Sequence, residues 1–294
     1  MEIDAILAQK KAIFEDFLSK YLKENNNGSG IFDACAYSLT AGGKRIRPIL
    51  TMLGCEMVGS KGENSLHAGL AIEMLHTFSL IHDDLPAIDN DDLRRGLPTC
   101  HKRFGDASAI LAGDGLIFLA ISVISSSPYP LDVKNDIIEE IARTCGINGL
   151  ILGEYQDIIT EGKEISLEDV KGMHRLKTSR LFELCMYAGA KIGGGNKSQI
   201  DALVSYGTHL GLAFQAIDDI LDITSNEVNL GKASKKDDTK GKATVVKVLG
   251  LNGALQWAKS ATSRAISALS EIPGDKETTH ILKDLALSML ERVR

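Results

Sequence analysis

The sequence predicts an all-α fold, a single domain of about ten helices over residues 1–294. Three observations carry this. Apolar residues recur at steps of three and four along almost the whole chain, strand-like alternation is scarce, and helix breakers fall between the periodic segments. The first segment places Ile3, Ile6, Leu7, Ile13, Phe14, Phe17, Leu18 and Leu22 on one face and stops at Asn25–Gly30. Segments at 31–40, 44–58 and 64–83 follow, the last two separated by Gly59–Gly62. Next come 104–126, closed by Ser125–Pro130, then 132–160, which keeps Asn148-Gly149 inside its pattern, and 166–193, closed by Gly193–Gly195. The remaining segments are 197–224, 243–270 and 276–292, with Pro273-Gly274 between the final two. Residues Ser225–Gly241 depart from this scheme. They are polar, carry Lys232, Lys235, Lys236 and Lys240, and lack apolar periodicity, which marks a functional loop.

With 44% hydrophobic and 24% charged residues, the chain has the composition of a soluble globular protein. Its formal charge of −6 and the absence of a basic arm argue against a phosphate-reading nucleic-acid surface. The five cysteines (Cys35, Cys55, Cys100, Cys145, Cys185) are widely spaced, which argues against a disulfide framework or zinc site and for a reducing, cytoplasmic compartment. Charges interrupt the N-terminus as a signal peptide, and Asp114 interrupts the apolar run 107–124, so no bilayer span is expected.

Carboxylates occupy positions where a core should be. In the apolar segment 206–223, Gln215, Asp218, Asp219 and Asp222 stand at i, i+3, i+4 and i+7, one stripe of one helix face. Burying such acids is costly unless cations neutralise them, and no Lys or Arg lies three or four residues away within the helix. A second cluster ends the segment from Leu66. Glu73, His76, Ser79 and Asp83 share a face, followed by Asp84, Asp89, Asp91, Asp92, Arg94 and Arg95. Oxygen-only donors of this kind suit a hard divalent ion, and magnesium completes its shell with water and phosphate. A calcium loop starting at Asp89 fails, with Leu93 and Arg94 at its fifth and sixth positions; Gly241-Lys242-Ala243 fails as a phosphate loop. Short basic groups complete the pattern: Lys44, Arg45 and Arg47 in GGKRIRP, the Arg94-Arg95 pair, Lys177 and the polar-loop lysines. Together they imply a cavity that holds phosphorylated substrates between metal ions and cationic side chains.

These residues resemble the trans-isoprenyl diphosphate synthase (polyprenyl synthetase) family, in particular its bacterial short-chain farnesyl diphosphate synthases. The match is ordered over nearly the whole chain: GGKRIRP at 42–48, DDLPAID at 83–89, RRG at 94–96, KT at 177–178, FQAIDDILD at 214–222, LGK at 230–232 and GKAT at 241–244. The resemblance implies an antiparallel helical bundle around a deep central cavity, a homodimer, and Mg2+ as cofactor, three ions per site with substrate bound. It implies that Asp83, Asp89, Asp218 and Asp222 hold the metal, with Asp84 and Asp219 beside them. Arg94, Lys177, Thr178, Gln215, Lys232 and Lys242 are implied contacts of the allylic diphosphate, and Lys44, Arg47, His76 and Arg95 of isopentenyl diphosphate.

The implied reaction is head-to-tail prenyl transfer. The allylic C–O bond breaks to give a carbocation, isopentenyl diphosphate adds through its double bond, and the released diphosphate takes up the lost proton. Closure of the 225–242 segment over the phosphates would shield the cation from water. Phe78 and Ser79, five and four residues before Asp83, are the implied chain-length residues, the aromatic acting as a floor that stops growth at farnesyl. A geranylgeranyl diphosphate synthase is the nearest alternative and a non-catalytic regulatory subunit the most distant, since the latter is expected to lose one aspartate motif. A terpene cyclase would need neither GGKRIRP nor the second motif. Three positions depart from the family pattern: Glu154 replaces the usual glutamine, with its charge expected near the second cluster; Val245-Val246 replaces the frequent Tyr-Pro; and the tail LERVR, with Arg292 as its candidate contact, resembles the family's basic tail loosely.

Overall fold

A computed structural model describes residues 2–228, 241–272 and 275–293, with side chains for all of these but residues 2 and 225–228. Among the described residues the chain forms thirteen α-helices and one minimal hairpin. The first four are α1 (Glu2–Glu24), α2 (Gly30–Thr40), α3 (Ile46–Met57) and α4 (Leu66–Asp83). The hairpin pairs β1 (Leu93–Arg94) with β2 (Leu97–Pro98), and α5 (Cys100–Phe104), α6 (Asp106–Ser126), α7 (Leu131–Cys145) and α8 (Leu150–Thr160) follow. Then come α9 (Leu167–His174), a five-residue π turn (Arg175–Ser179), α10 (Arg180–Ile192), α11 (Lys197–Val228), α12 (Val245–Ala268) and α13 (Lys276–Glu291).

Local chemistry accounts for the starts. Ser29, Ser166, Thr244 and Asp275 each accept an N–H of the first turn of α2, α9, α12 and α13, satisfying donors that a helix end leaves open. Packing then selects which faces are buried. Helices α3, α4 and α10 supply the longest buried runs, and the apolar residues form one contiguous core from Phe14 to Leu290. Tyr206 is fully buried, and its hydroxyl donates to the Leu282 carbonyl at 2.8 Å, tying α11 to α13.

Several sequence expectations change. The segment 132–160 is two helices, because Gly146 and Asn148-Gly149 form a turn between α7 and α8 instead of continuing the helix. Helix α11 runs to Val228, so the polar segment expected as loop begins helical. A hairpin forms where none was expected: its two-residue turn is Arg95-Gly96, both at positive φ (54° and 79°), the geometry of a primed turn without its usual Asn-Gly. Finally, α6 is long and apolar enough by length and composition to cross a membrane, so Asp114 does not exclude it on that test. It packs along α4 on one side and leaves Ile110, Leu111 and Phe118 exposed on the other.

The π turn sits between α8 and α11, and glycines permit the approach. A Cβ at Gly153 of α8 would lie 2.4 Å from the Lys177 backbone nitrogen, and one at Gly211 of α11 would lie 2.5 Å from the Ser179 Cα. Gly211→Ala is therefore expected to cost about 2 kcal/mol by overpacking. Gly172→Ala, in α9 where a Cβ meets nothing within 4 Å, is expected to gain about 0.5–1 kcal/mol. Denaturant unfolding of the two variants checks both signs.

Candidate active site

The first acidic wall is built at the end of α4. Asp83 closes the helix and Pro86 lies in the turn that follows it. The chain folds back on that end: the Asp89 N–H donates to the Asp83 carbonyl at 2.8 Å and the Asp91 N–H to the Asp84 carbonyl at 3.2 Å. Asp89 is thereby brought beside Asp83. From the hairpin, Arg94 returns to Asp84, its Nε 2.8 and 2.9 Å from the two carboxylate oxygens and its Nη2 2.6 Å from one. This fork ties the buried Asp84 to the half-buried Arg94. Lys242, from the segment before α12, reaches across to Asp89 at 3.0 Å.

The second wall is the α11 stripe. Asp219 is 3% exposed, accepts the Val245 N–H at 2.9 Å and the Gln215 amide at 3.0 Å, and has His174 Nε2 at 3.7 Å. Asp218 accepts from Arg292 at 3.3 Å, whose guanidinium lies 5.9 Å from the Phe214 ring centroid. Asp222 is exposed one turn further along.

Two consecutive residues of the π turn join the walls. Thr178 donates to the Gln215 carbonyl oxygen at 2.6 Å and so belongs to the second wall. Lys177 turns the other way, its ammonium 2.6 Å from Asp157 and 2.7 Å from Glu154, both on α8. Burial disfavours the Lys177 charge, but Asp157, Asp83 and Glu154 outweigh it and hold the ammonium above its ordinary pKa. Burial, and after it the negative charge of Glu154, pushes the Asp83 carboxyl up to about 8. Glu154 was expected near the second cluster; it stands instead by Lys177 and acts on Asp83 of the first. Its helix packs against the π turn, and that placement is tertiary. His174, enclosed beside Asp219, is pushed down to about 4 by burial.

The residues assigned to a second diphosphate gather beside this cleft. His76 is held well below its usual pKa by burial and by Arg47, Arg95, Arg94 and Arg45, so it is a neutral imidazole among cations. Arg47 stacks 5.3 Å from the Phe182 ring centroid, and its buried Nε has no protein partner. Arg95 donates to the Gly42 carbonyl, and the charge of exposed Lys44 reaches Asp218. Phe78 is 5% exposed, with its ring edge-on to His82 at 5.8 Å. The Ser79 hydroxyl donates to the His76 carbonyl at 2.9 Å. Lys232, and most of the segment expected to close over the phosphates, lie outside the described residues.

Among the described residues no three metal-binding side chains converge as a closed cage. The short segment before α12 links the two acidic groups, Lys242 reaching Asp89 of the first and the Val245 N–H reaching Asp219 of the second, and an oxygen-only donor set of this kind fits an ion completing its shell from a bound ligand. Sequence reasoning missed Asp157 and His174. Asp157 stands three residues after Glu154 on the same helix face, a signal that was available; His174 carried none.

The chain matches the Polyprenyl synthetase family model over residues 29–283. It is 43% identical over 257 residues to the farnesyl diphosphate synthase of Geobacillus stearothermophilus, with 86% of each chain covered. It is 41% identical over 254 residues to the heterodimeric geranylgeranyl pyrophosphate synthase large subunit 1 of Arabidopsis thaliana, covering 84% of this chain and 68% of that one. Its structure superimposes with a TM-score of 0.86 and 33% identity on an FPP/GFPP synthase from Zymomonas mobilis, over 98% and 99% of the two chains. With this likeness along nearly its whole length, the chain belongs to the polyprenyl synthetase family.

Proposed function

We propose that this chain, acting as one catalytic domain, is a magnesium-dependent prenyltransferase that condenses isopentenyl diphosphate with dimethylallyl and geranyl diphosphates to give farnesyl diphosphate. The observation that carries the reading is the Lys177-Thr178 pair: Thr178 bonds Gln215 of the second wall, while Lys177, paired with Asp157 and Glu154, also feels the charge of Asp83 on the first. Asp83 and Asp89 on one wall and Asp218 and Asp222 on the other are the proposed holders of Mg2+, three ions with substrate bound. Mg2+ would act there as a Lewis acid toward the departing diphosphate. Arg94, Lys177, Thr178, Gln215, Lys232 and Lys242 are the proposed contacts of that diphosphate, cations placed where negative charge develops. Lys44, Arg47, neutral His76 and Arg95 are the proposed seat of the second diphosphate. The five free, buried thiols support a reducing, cytoplasmic setting.

A geranylgeranyl product is the second reading, favoured by the 41% identity to the Arabidopsis subunit. Burial of Phe78 five residues before Asp83, about 7.5 Å down the helix, supports the shorter product. Purified protein is to be given isopentenyl diphosphate, each allylic starter and Mg2+, and the products sized by chromatography. Farnesyl diphosphate is expected, and no condensation with any starter overturns the function. Phe78→Ala is expected to yield products longer by at least one isoprene unit.

Cation binding should depend on pH. A carboxyl raised to about 8 is neutral below that pH, so a cation must displace its proton. The apparent affinity for Mg2+ with inorganic pyrophosphate is expected to fall about tenfold per pH unit below 8. Calorimetry in buffers of different ionisation heat should show a proton released, and Asp83→Asn should abolish that release. The same raised carboxyl stabilises the metal-free fold below about pH 4 and loses that contribution as pH rises through 8.

We also propose a homodimer through the outer face of α6. Phe118 is 75% exposed there beside Ile110 and Leu111, an apolar surface of the kind that partners cover. Phe118→Asp is expected to convert a dimer to monomer in sedimentation analysis.

A further inference from the structure

We infer that Arg45 is a positioning residue: anchored beneath the GGKRIRP turn, it sets Lys44 and Arg47 toward the second diphosphate, an inference that rests on the function proposed above. The three basic residues of this turn look alike in the sequence, yet their surroundings differ. Lys44 is exposed and Arg47 keeps a buried Nε without a protein partner. Arg45 is 3% exposed, and each of its guanidinium nitrogens is already engaged. Its Nε donates to Glu15 at 2.8 Å, its Nη1 to Glu73 at 2.8 Å and its Nη2 to the Leu39 carbonyl at 2.6 Å. Three of its five N–H donors are thus spent inside the protein, and the group is buried away from any ligand.

These anchors hold an unfavourable backbone. Arg45 has φ 53° and ψ 35°, the left-handed region, which a long side chain occupies only when its surroundings over-determine it. One residue in that conformation reverses the side-chain direction between Lys44 and the start of α3. The anchors come from three elements: Glu15 from α1, Leu39 from α2 and Glu73 from α4. Glu73 lies one helical turn before His76, so the clamp and a proposed ligand contact share one rigid helix.

The facing segment depends on the same turn. Arg95 is also left-handed, at φ 54°, and donates to the Gly42 carbonyl. Gly43, at φ 121°, lies so close beneath it that an added Cβ would be 2.7 Å from the Arg95 Cζ. Relaxing Arg45 would move the Gly42-Gly43 seat and Arg95 with it. Glu15 lies outside residues 29–283 of the family match, so the first helix of the chain takes part in supporting the pocket.

The test measures binding without turnover. Isopentenyl diphosphate alone, and separately the unreactive geranyl thiodiphosphate with Mg2+, are titrated by calorimetry into wild type, Arg45→Asn, Arg45→Ala and Glu15→Gln. Asn tolerates the left-handed region, so Arg45→Asn removes the anchors while sparing the backbone angle. Both Arg45 variants are expected to weaken isopentenyl diphosphate binding about tenfold, and Glu15→Gln about threefold, with the thiodiphosphate unchanged within twofold. Wild-type affinity for isopentenyl diphosphate in Arg45→Asn, or an equal loss for both ligands in that folded variant, overturns the positioning role alone. Wild type binding neither ligand overturns the proposed function, and the inference with it.

Discussion

Opposed carboxylates can share a cleft only if cations are built in among them. Here five of the acids are met by basic groups from elsewhere in the chain: Asp84 by Arg94, Asp89 by Lys242, Asp157 and Glu154 by Lys177, and Asp218 by Arg292. The sequence separations run from 10 residues for Arg94 to 153 for Lys242. Long-range electrostatics therefore ties the hairpin, the π turn, the approach to α12 and the end of α13 to one place. Such pairs are partly buried, and removing one partner leaves an uncompensated charge that destabilises strongly. The same side chains carry the charges that an incoming diphosphate needs, so neutralising these acids and preparing the site for a ligand are one arrangement.

That arrangement requires close backbone approach at its centre. The π turn inserts between α8 and α11, and an α-helical continuation from α9 would give Lys177 and Thr178 a different angular relation. Neighbouring residues on any helical turn point in different directions, and the absence of side chains at Gly153 and Gly211 lets α8 and α11 close on the turn so that Lys177 meets one helix and Thr178 the other. Strain of another kind appears at Arg45 and Arg95, both left-handed and both beside the cationic pocket. Irregular backbone also occurs away from these residues, as at Gly250, where α12 kinks with φ 68°.

Much of this was legible in the sequence because helix periodicity is a short-range property. The stripe Gln215, Asp218, Asp219 and Asp222 could be assigned to one face from spacing alone, and α11 presents it so. Where a second element decides the outcome, the sequence was silent. Gly146 and Gly149 separate α7 from α8 through backbone geometry that a periodic pattern cannot show. The apolar outer face of α6 reads identically whether its cover is the same chain or another copy. Glu154 was noticed as unusual, but its neighbours depend on how α8 docks. Arg45 was grouped with Lys44 and Arg47 as one basic cluster, since the sign of one φ angle separates inward from outward.

The hydrogen bond from the Val245 amide to Asp219 uses main chain, not side chain. Any residue except proline can supply it, so position 245 is free to drift in volume and polarity as far as this contact is concerned. The departure at Val245-Val246 from the family's frequent Tyr-Pro is thus silent for the second acidic wall: mutation there rewrites the surroundings and leaves the donor untouched.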